Sequence, residues 1–203
     1  MRIARLLLLS ISLCLLAAAS ASASIIVFDN GPINGNVNAW GINFSSVVAN
    51  SFSLSSAGTI TGVNLGIWVF SSDVPLQLDW QITSDPFSGL LRGEPVTPTT
   101  ASLTNTFLFT NDFFYDVYSS KFQITGVTLP AGDYWLELSS GVTTGSSFMF
   151  WDENDGLLSS AYVNDIDQPI GSESFSISTP EPGILALLGC GVLLVGLFYR
   201  KTH

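Results

Sequence analysis

Between residues 24 and 179 the apolar positions recur at every second residue. Leu76, Leu78, Trp80 and Ile82 alternate with Gln77, Asp79 and Gln81. On an extended chain such alternation puts the apolar set on one face and the polar set on the other. Val63, Leu65, Ile67 and Val69 share a face in the same way, with Asn64, Gly66 and Trp68 opposite. Phe122-Gln123-Ile124, Tyr134-Trp135-Leu136-Glu137-Leu138 and Phe175-Ser176-Ile177 repeat the pattern. Turn formers separate these runs: Asn30-Gly31-Pro32, Ala57-Gly58, Asp85-Pro86, Pro130-Ala131-Gly132-Asp133 and Asp155-Gly156. No helical period is present. The pattern predicts an all-β domain, an antiparallel β-sandwich or jelly roll of roughly eight to ten strands. Residues 90–110 are rich in Pro and Thr, which predicts a long loop or an excursion along a strand edge. No repeat of fixed period and no linker before residue 176 interrupts this domain.

The two ends read differently. Arg2 and Arg5 precede an apolar run from Leu6 to Leu16, followed by small residues suited to cleavage after Ala21 or Ala23. This is the layout of a secretory signal peptide over residues 1–23, too short and wrongly flanked for a membrane anchor. Residues 180–203 begin with Pro180-Glu181-Pro182, continue apolar from Gly183 to Tyr199, and close with Arg200 and Lys201. Seventeen helical residues span roughly 26 Å, at the short limit for a bilayer core. The basic pair would extend that reach by snorkelling and remain cytoplasmic, so a single transmembrane helix is expected. The expected organisation is a signal peptide (1–23), a β ectodomain (24–179) and a C-terminal anchor segment (180–203).

The C-terminal segment resembles the PEP-CTERM sorting signal of Gram-negative bacteria. The resemblance rests on Pro180, Glu181 and Pro182, the apolar run directly behind them, and Arg200-Lys201, together with the N-terminal signal. It covers about 24 residues. It implies an exported exosortase substrate, anchored in the cell-envelope membrane until processed near the tripeptide and then placed at the cell surface or outside the cell. It also implies an association with exopolysaccharide and biofilm or floc matrices. The segment VTLPAGDYWLELSSG (residues 127–141) and the FWDENDG stretch around Trp151 are loosely similar to ectodomains of the same class, which implies an extracellular β domain and no activity.

Composition narrows the chemistry. The chain of 203 residues has 16 acidic and 6 basic side chains, for a net charge of -10. That sign argues against nucleic-acid binding. The one histidine is His203, the last residue, so the ectodomain holds no Ser-His or Cys-His pair. The two cysteines, Cys14 and Cys190, lie in the two end segments, so no disulfide framework is expected. Only Arg92 and Lys121 are basic within the ectodomain. The expectation is a non-enzymatic surface or matrix protein without a catalytic residue.

Two alternatives rest on particular side chains. Trp68 falls opposite an aliphatic face, Trp135 shares a face with Glu137 and Trp151 with Met149; rings on a flat sheet face can stack on sugars, while core or edge packing is the commoner role for such residues. They define an alternative carbohydrate-binding module. Asp152, Asn154 and Asp155 lie in one acidic stretch rich in hard oxygen ligands, which would suit calcium in an adhesion domain. An EF-hand spacing is absent, because Gly156 comes one residue early, and a solvated acidic turn is the simpler reading. No other cofactor is expected. The partners are the membrane, a processing enzyme of the exosortase type and an exopolysaccharide.

Overall fold

The structure, a computed structural model, describes residues 24–154, 160–164 and 169–180. The expected signal peptide lies outside the described residues. So do Asp155, Glu181, Pro182, Arg200 and Lys201, and with them the expected transmembrane helix.

The described residues are all-β. In chain order the strands are β1 (Ser24–Asp29), β2 (Asn38–Gly41), β3 (Val47–Leu54), β4 (Gly58–Phe70), β5 (Pro75–Thr83), β6 (Leu90–Leu91), β7 (Glu94–Pro95), β8 (Thr99–Ser102), β9 (Thr104–Thr110), β10 (Tyr115–Leu129), β11 (Gly132–Thr143), β12 (Met149–Glu153), β13 (Ala161–Val163), β14 (Pro169–Ile170) and β15 (Phe175–Pro180). A seven-stranded sheet runs β1-β15-β4-β10-β9, with β12 also on β4 and β2 on β12. A six-stranded sheet runs β14-β13-β3-β11-β5-β8. The β6–β7 hairpin stands apart. The traced registers are antiparallel throughout.

The predicted alternation builds the core. Leu65, Ile67 and Val69 of β4 meet Val48 and Phe52 of β3, Leu78 and Ile82 of β5, and Leu136 and Leu138 of β11 in one buried cluster. Both sheets therefore share one core, the arrangement of a sandwich. Aromatic side chains bridge the layers: Phe52 and Phe175 meet edge to face at 6.5 Å, and Trp80 lies 5.8 Å from Phe122. Truncating a fully buried leucine such as Leu136 in this cluster would cost about 2–5 kcal/mol.

Three local details depart from the sequence pattern. Leu76 does not share the buried face of Leu78, Trp80 and Ile82; it is 44% exposed. The partner strand β11 shifts register between Ser139 and Val142 and again between Val142 and Thr143, so the Leu76 end of β5 pairs irregularly, with Gln77 opposite Val142 and Pro75 opposite Thr143. Residues 90–110 contain more than a loop. They form the β6–β7 hairpin and then β8 and β9, which edge the six- and seven-stranded sheets and are joined through Leu103 alone. In β10 an irregularity between Gln123 and Val127 places Gly126 at φ +81°, a conformation that favours glycine.

The Pro130–Gly132 turn forms where the sequence places it. β10 ends at Leu129 and β11 starts at Gly132, whose φ is +153°. The Tyr134 hydroxyl donates to the Pro130 carbonyl at 3.1 Å and closes the turn.

Candidate functional site

The outer face of the seven-stranded sheet carries an aromatic row. β4 contributes Trp68 and Phe70, β10 contributes Tyr115, and β12 contributes Phe150. Register aligns them: Phe70 is opposite Tyr115, and Trp68 is opposite Phe150. Phe113 from the turn before β10 stacks on Trp68 at 5.9 Å, with 22° between the ring planes. Tyr115 lies 6.0 Å from Trp68, 5.1 Å from Phe70 and 5.4 Å from Phe150. Phe148 stacks on Phe150 at 5.7 Å, and Phe44 meets Phe148 at 4.8 Å. From Phe44 to Phe113 the rings are therefore continuous across three strands and three connecting segments.

Much of this row faces solvent. Phe44 is 65% exposed, Phe113 54% and Phe148 48%, and Phe70 is exposed as well. A cavity of about 200 Å³ opens beside Trp68, lined by Val37, Asn38, Ala39, Phe113, Tyr115 and Phe150. Opposite Phe150 stands Gly41 of β2.

A buried carboxylate supports the row from beneath. Asp152 follows Trp151 on β12 and is fully buried. Its Oδ1 accepts from the Trp68 indole at 2.6 Å and from the Gly35 amide at 3.0 Å. Its Oδ2 accepts from the Ser174 hydroxyl at 2.9 Å and the Asn34 amide at 3.1 Å. Burial pushes its pKa up, and these four donors work against that rise. Gly66 makes the site sterically feasible, because a Cβ there would collide with Ser174 Oγ and with Asp152. The loop carrying Gly35 is held down on its other side, where the Asn111 amide group donates to the Gly35 carbonyl at 3.0 Å.

These facts revise the tryptophan and calcium readings. Trp68 sits at the base of the row but is buried, so the rings offered to solvent are mainly phenylalanines. Trp151 does not face outward. It is wholly buried, edge to face with Phe175 at 5.5 Å, and its indole donates to the Ser174 carbonyl at 3.0 Å. Trp135 lies on the other sheet, half-buried and 5.5 Å from Tyr162. The three tryptophans do not form one platform. Asp152 and Asn154 are not a solvated turn either, since both are buried. Protein donors take the Asp152 oxygens, and the Asn154 amide group donates to the Asn30 carbonyl and, at 3.3 Å, to the Glu173 carbonyl. This pair does not present the open oxygen ligands that the calcium reading needs. Among the described residues no group of three or more His, Cys, Asp or Glu side chains gathers as a metal site.

Two further buried acids were not singled out from the sequence. Glu137, on β11 beside Trp135, accepts from Thr83 Oγ1 at 2.6 Å, Gln81 Nε2 at 2.7 Å and the Phe87 amide at 2.8 Å. Glu173 is fully buried between Ser172 and Ser174. The aromatic row left a visible trace: Trp68/Phe70, Phe113/Tyr115 and Phe148/Phe150 are all spaced by two, although only Trp68 and Phe70 share the face of one strand. What places the three pairs side by side is strand register, which no local pattern states.

The site thus belongs to an all-β domain of two antiparallel sheets with an exposed aromatic face. No family model matches the chain, and no curated protein matches it significantly.

Proposed function

We propose that this chain is a non-enzymatic, exported cell-surface or matrix protein that binds an extracellular polysaccharide through the aromatic face. The continuous ring row from Phe44 to Phe113 carries this reading. Pyranose rings present faces of C–H bonds that pack on aromatic faces, and a row of rings suits a linear polymer better than a single small ligand. Asn38 at the cavity supplies a polar group for a sugar hydroxyl. The sequence supports the placement: residues 1–23 act as a signal peptide, and residues 180–203 act as a PEP-type sorting and anchor segment recognised by an exosortase-type enzyme. The ectodomain is then a single β-sandwich held at the membrane until processing releases it.

The test uses polysaccharide from the native host in affinity electrophoresis. Tyr115→Ala and Phe148→Ala should each weaken retention about tenfold, the effect of losing roughly 1.4 kcal/mol at a contact hot spot. Equal retention of the wild type and both folded variants would sink the reading.

A further inference from the structure

Glu173 is the one fully buried carboxylate among the described residues whose two oxygens both lack a hydrogen-bond donor. It stands directly opposite Glu153 in an antiparallel bridge. The flanking bonds define the pair type. The Ser174 amide donates to the Asp152 carbonyl at 2.7 Å, and the Asn154 amide donates to the Ser172 carbonyl at 2.8 Å. Glu153 and Glu173 are therefore a non-hydrogen-bonded pair, the kind in which facing side chains approach most closely. Like charges in that position repel each other, and burial removes the water that would screen them.

The surroundings supply no positive charge. The basic residues among the described positions are Arg92, in the β6–β7 turn, and Lys121, on β10, and both are exposed. Glu153 is partly held, since the Trp40 indole donates to its Oε2 at 2.8 Å. Its Oε1 side is pressed against Gly171, where any Cβ would collide with the carboxylate. Asn50 Oδ1 accepts the Glu173 amide at 2.8 Å and adds a neutral oxygen at the same end of the core. Burial, and then Glu153 and Asp152, push the Glu173 pKa well above the usual glutamate range. An unpaired buried carboxylate is costly unless it is neutralised.

We propose that the Glu153–Glu173 pair binds a hard divalent cation of calcium type, which joins β12 to the segment leading into β15. Both carboxylates are oxygen ligands, the preference of calcium, and amide oxygens and water complete a flexible shell. The affinity expected for an extracellular module with two carboxylates is about 10⁻⁴–10⁻³ M. The site differs from the Asp152–Asp155 stretch because the cross-strand bridge, not the run of acids, brings the ligands together. It does not depend on polysaccharide binding by the aromatic face.

The experiment takes the full chain, strips it with chelator and adds calcium alone, with magnesium as the control. At roughly 100 times Kd, calcium should raise Tm by about 5–10 °C. Terbium should also bind, be excited through the adjacent Trp40, and be displaced by calcium. Glu173→Gln should lose both responses. Glu153→Gln should weaken calcium at least about tenfold, and it serves if Glu173→Gln does not fold. Identical melting of the wild type in chelator and in calcium, without terbium emission, would overturn the site and leave Glu173 as a buried acid kept neutral by a proton. A calcium response fully retained in a folded Glu173→Gln or Glu153→Gln protein would overturn it too, by placing the ion elsewhere.

Discussion

The Trp68 indole donates a 2.6 Å hydrogen bond to Asp152, a residue 84 positions further along the chain. That bond fixes the base of the aromatic face. Asp152 also gathers the amides of Asn34 and Gly35 and the Ser174 hydroxyl, so one carboxylate ties β4, β12, the loop before β2 and the approach to β15. Asp152→Ala leaves these buried donors unpaired and should lower unfolding stability by about 3 kcal/mol or more. A urea titration reads this directly. In a double-mutant cycle with Trp68→Phe, the coupling should be about 1 kcal/mol or more, since the two residues share one bond. Additive losses would show that the bond contributes little.

Gly66 should tolerate no side chain. Its Cβ position is already filled by Ser174 Oγ and Asp152. Gly66→Ala should destabilise the domain by about 1–3 kcal/mol through overpacking, seen as a lower thermal midpoint. Combining it with Ser174→Gly should recover part of the loss, because that removes the hydroxyl it meets first.

Exposed and buried aromatic residues should separate binding from stability. Phe44→Ala and Phe148→Ala remove rings that are 65% and 48% exposed. Each should change stability by less than about 1 kcal/mol and still weaken polysaccharide retention. Trp151→Phe should behave in the opposite way. It leaves the Ser174 carbonyl without its indole donor inside the core, lowering stability by about 1–3 kcal/mol, while the folded protein binds as before. Parallel scans of melting and affinity electrophoresis check both halves.

Glu137 should act as the clasp of the 84–89 loop. It accepts the Phe87 amide at 2.8 Å as well as Thr83 and Gln81. Glu137→Ala should cost about 2–4 kcal/mol and speed hydrogen exchange at the Phe87 amide well before global unfolding. Unchanged exchange at Phe87 would show that the loop is held by other contacts.

The period-two apolar pattern determined the all-β class and most of the inward face. Val63, Leu65, Ile67 and Val69 are buried together because alternation on one strand is a local property. The Pro130–Gly132 turn was equally local, and it forms where the residues place it. Leu76 departs from the alternation where the β11 register shifts, between Ser139 and Val142 and again between Val142 and Thr143, a feature of the partner strand rather than of its own sequence. The edge strands β8 and β9 were hidden by a Pro- and Thr-rich composition that suits edges as well as loops.

The candidate sites needed tertiary structure for a single reason: each is made between strands far apart in sequence. Phe70 meets Tyr115, Trp68 meets Asp152, and Glu153 meets Glu173 only once register is set. The acidic run around Asp152 looked like a surface turn because composition carries no information about burial. The loop carrying Asn34 and Gly35 closes over Asp152, and β3 with its Asn50 closes over Glu173, so neither acid reaches water. Four protein donors then satisfy one of these acids, and none reaches the other. The sequence by itself determined the strand-forming alternation; the pairing of those strands decided which side chains face one another, because hydrogen-bond register is a property of the sheet and not of any one segment.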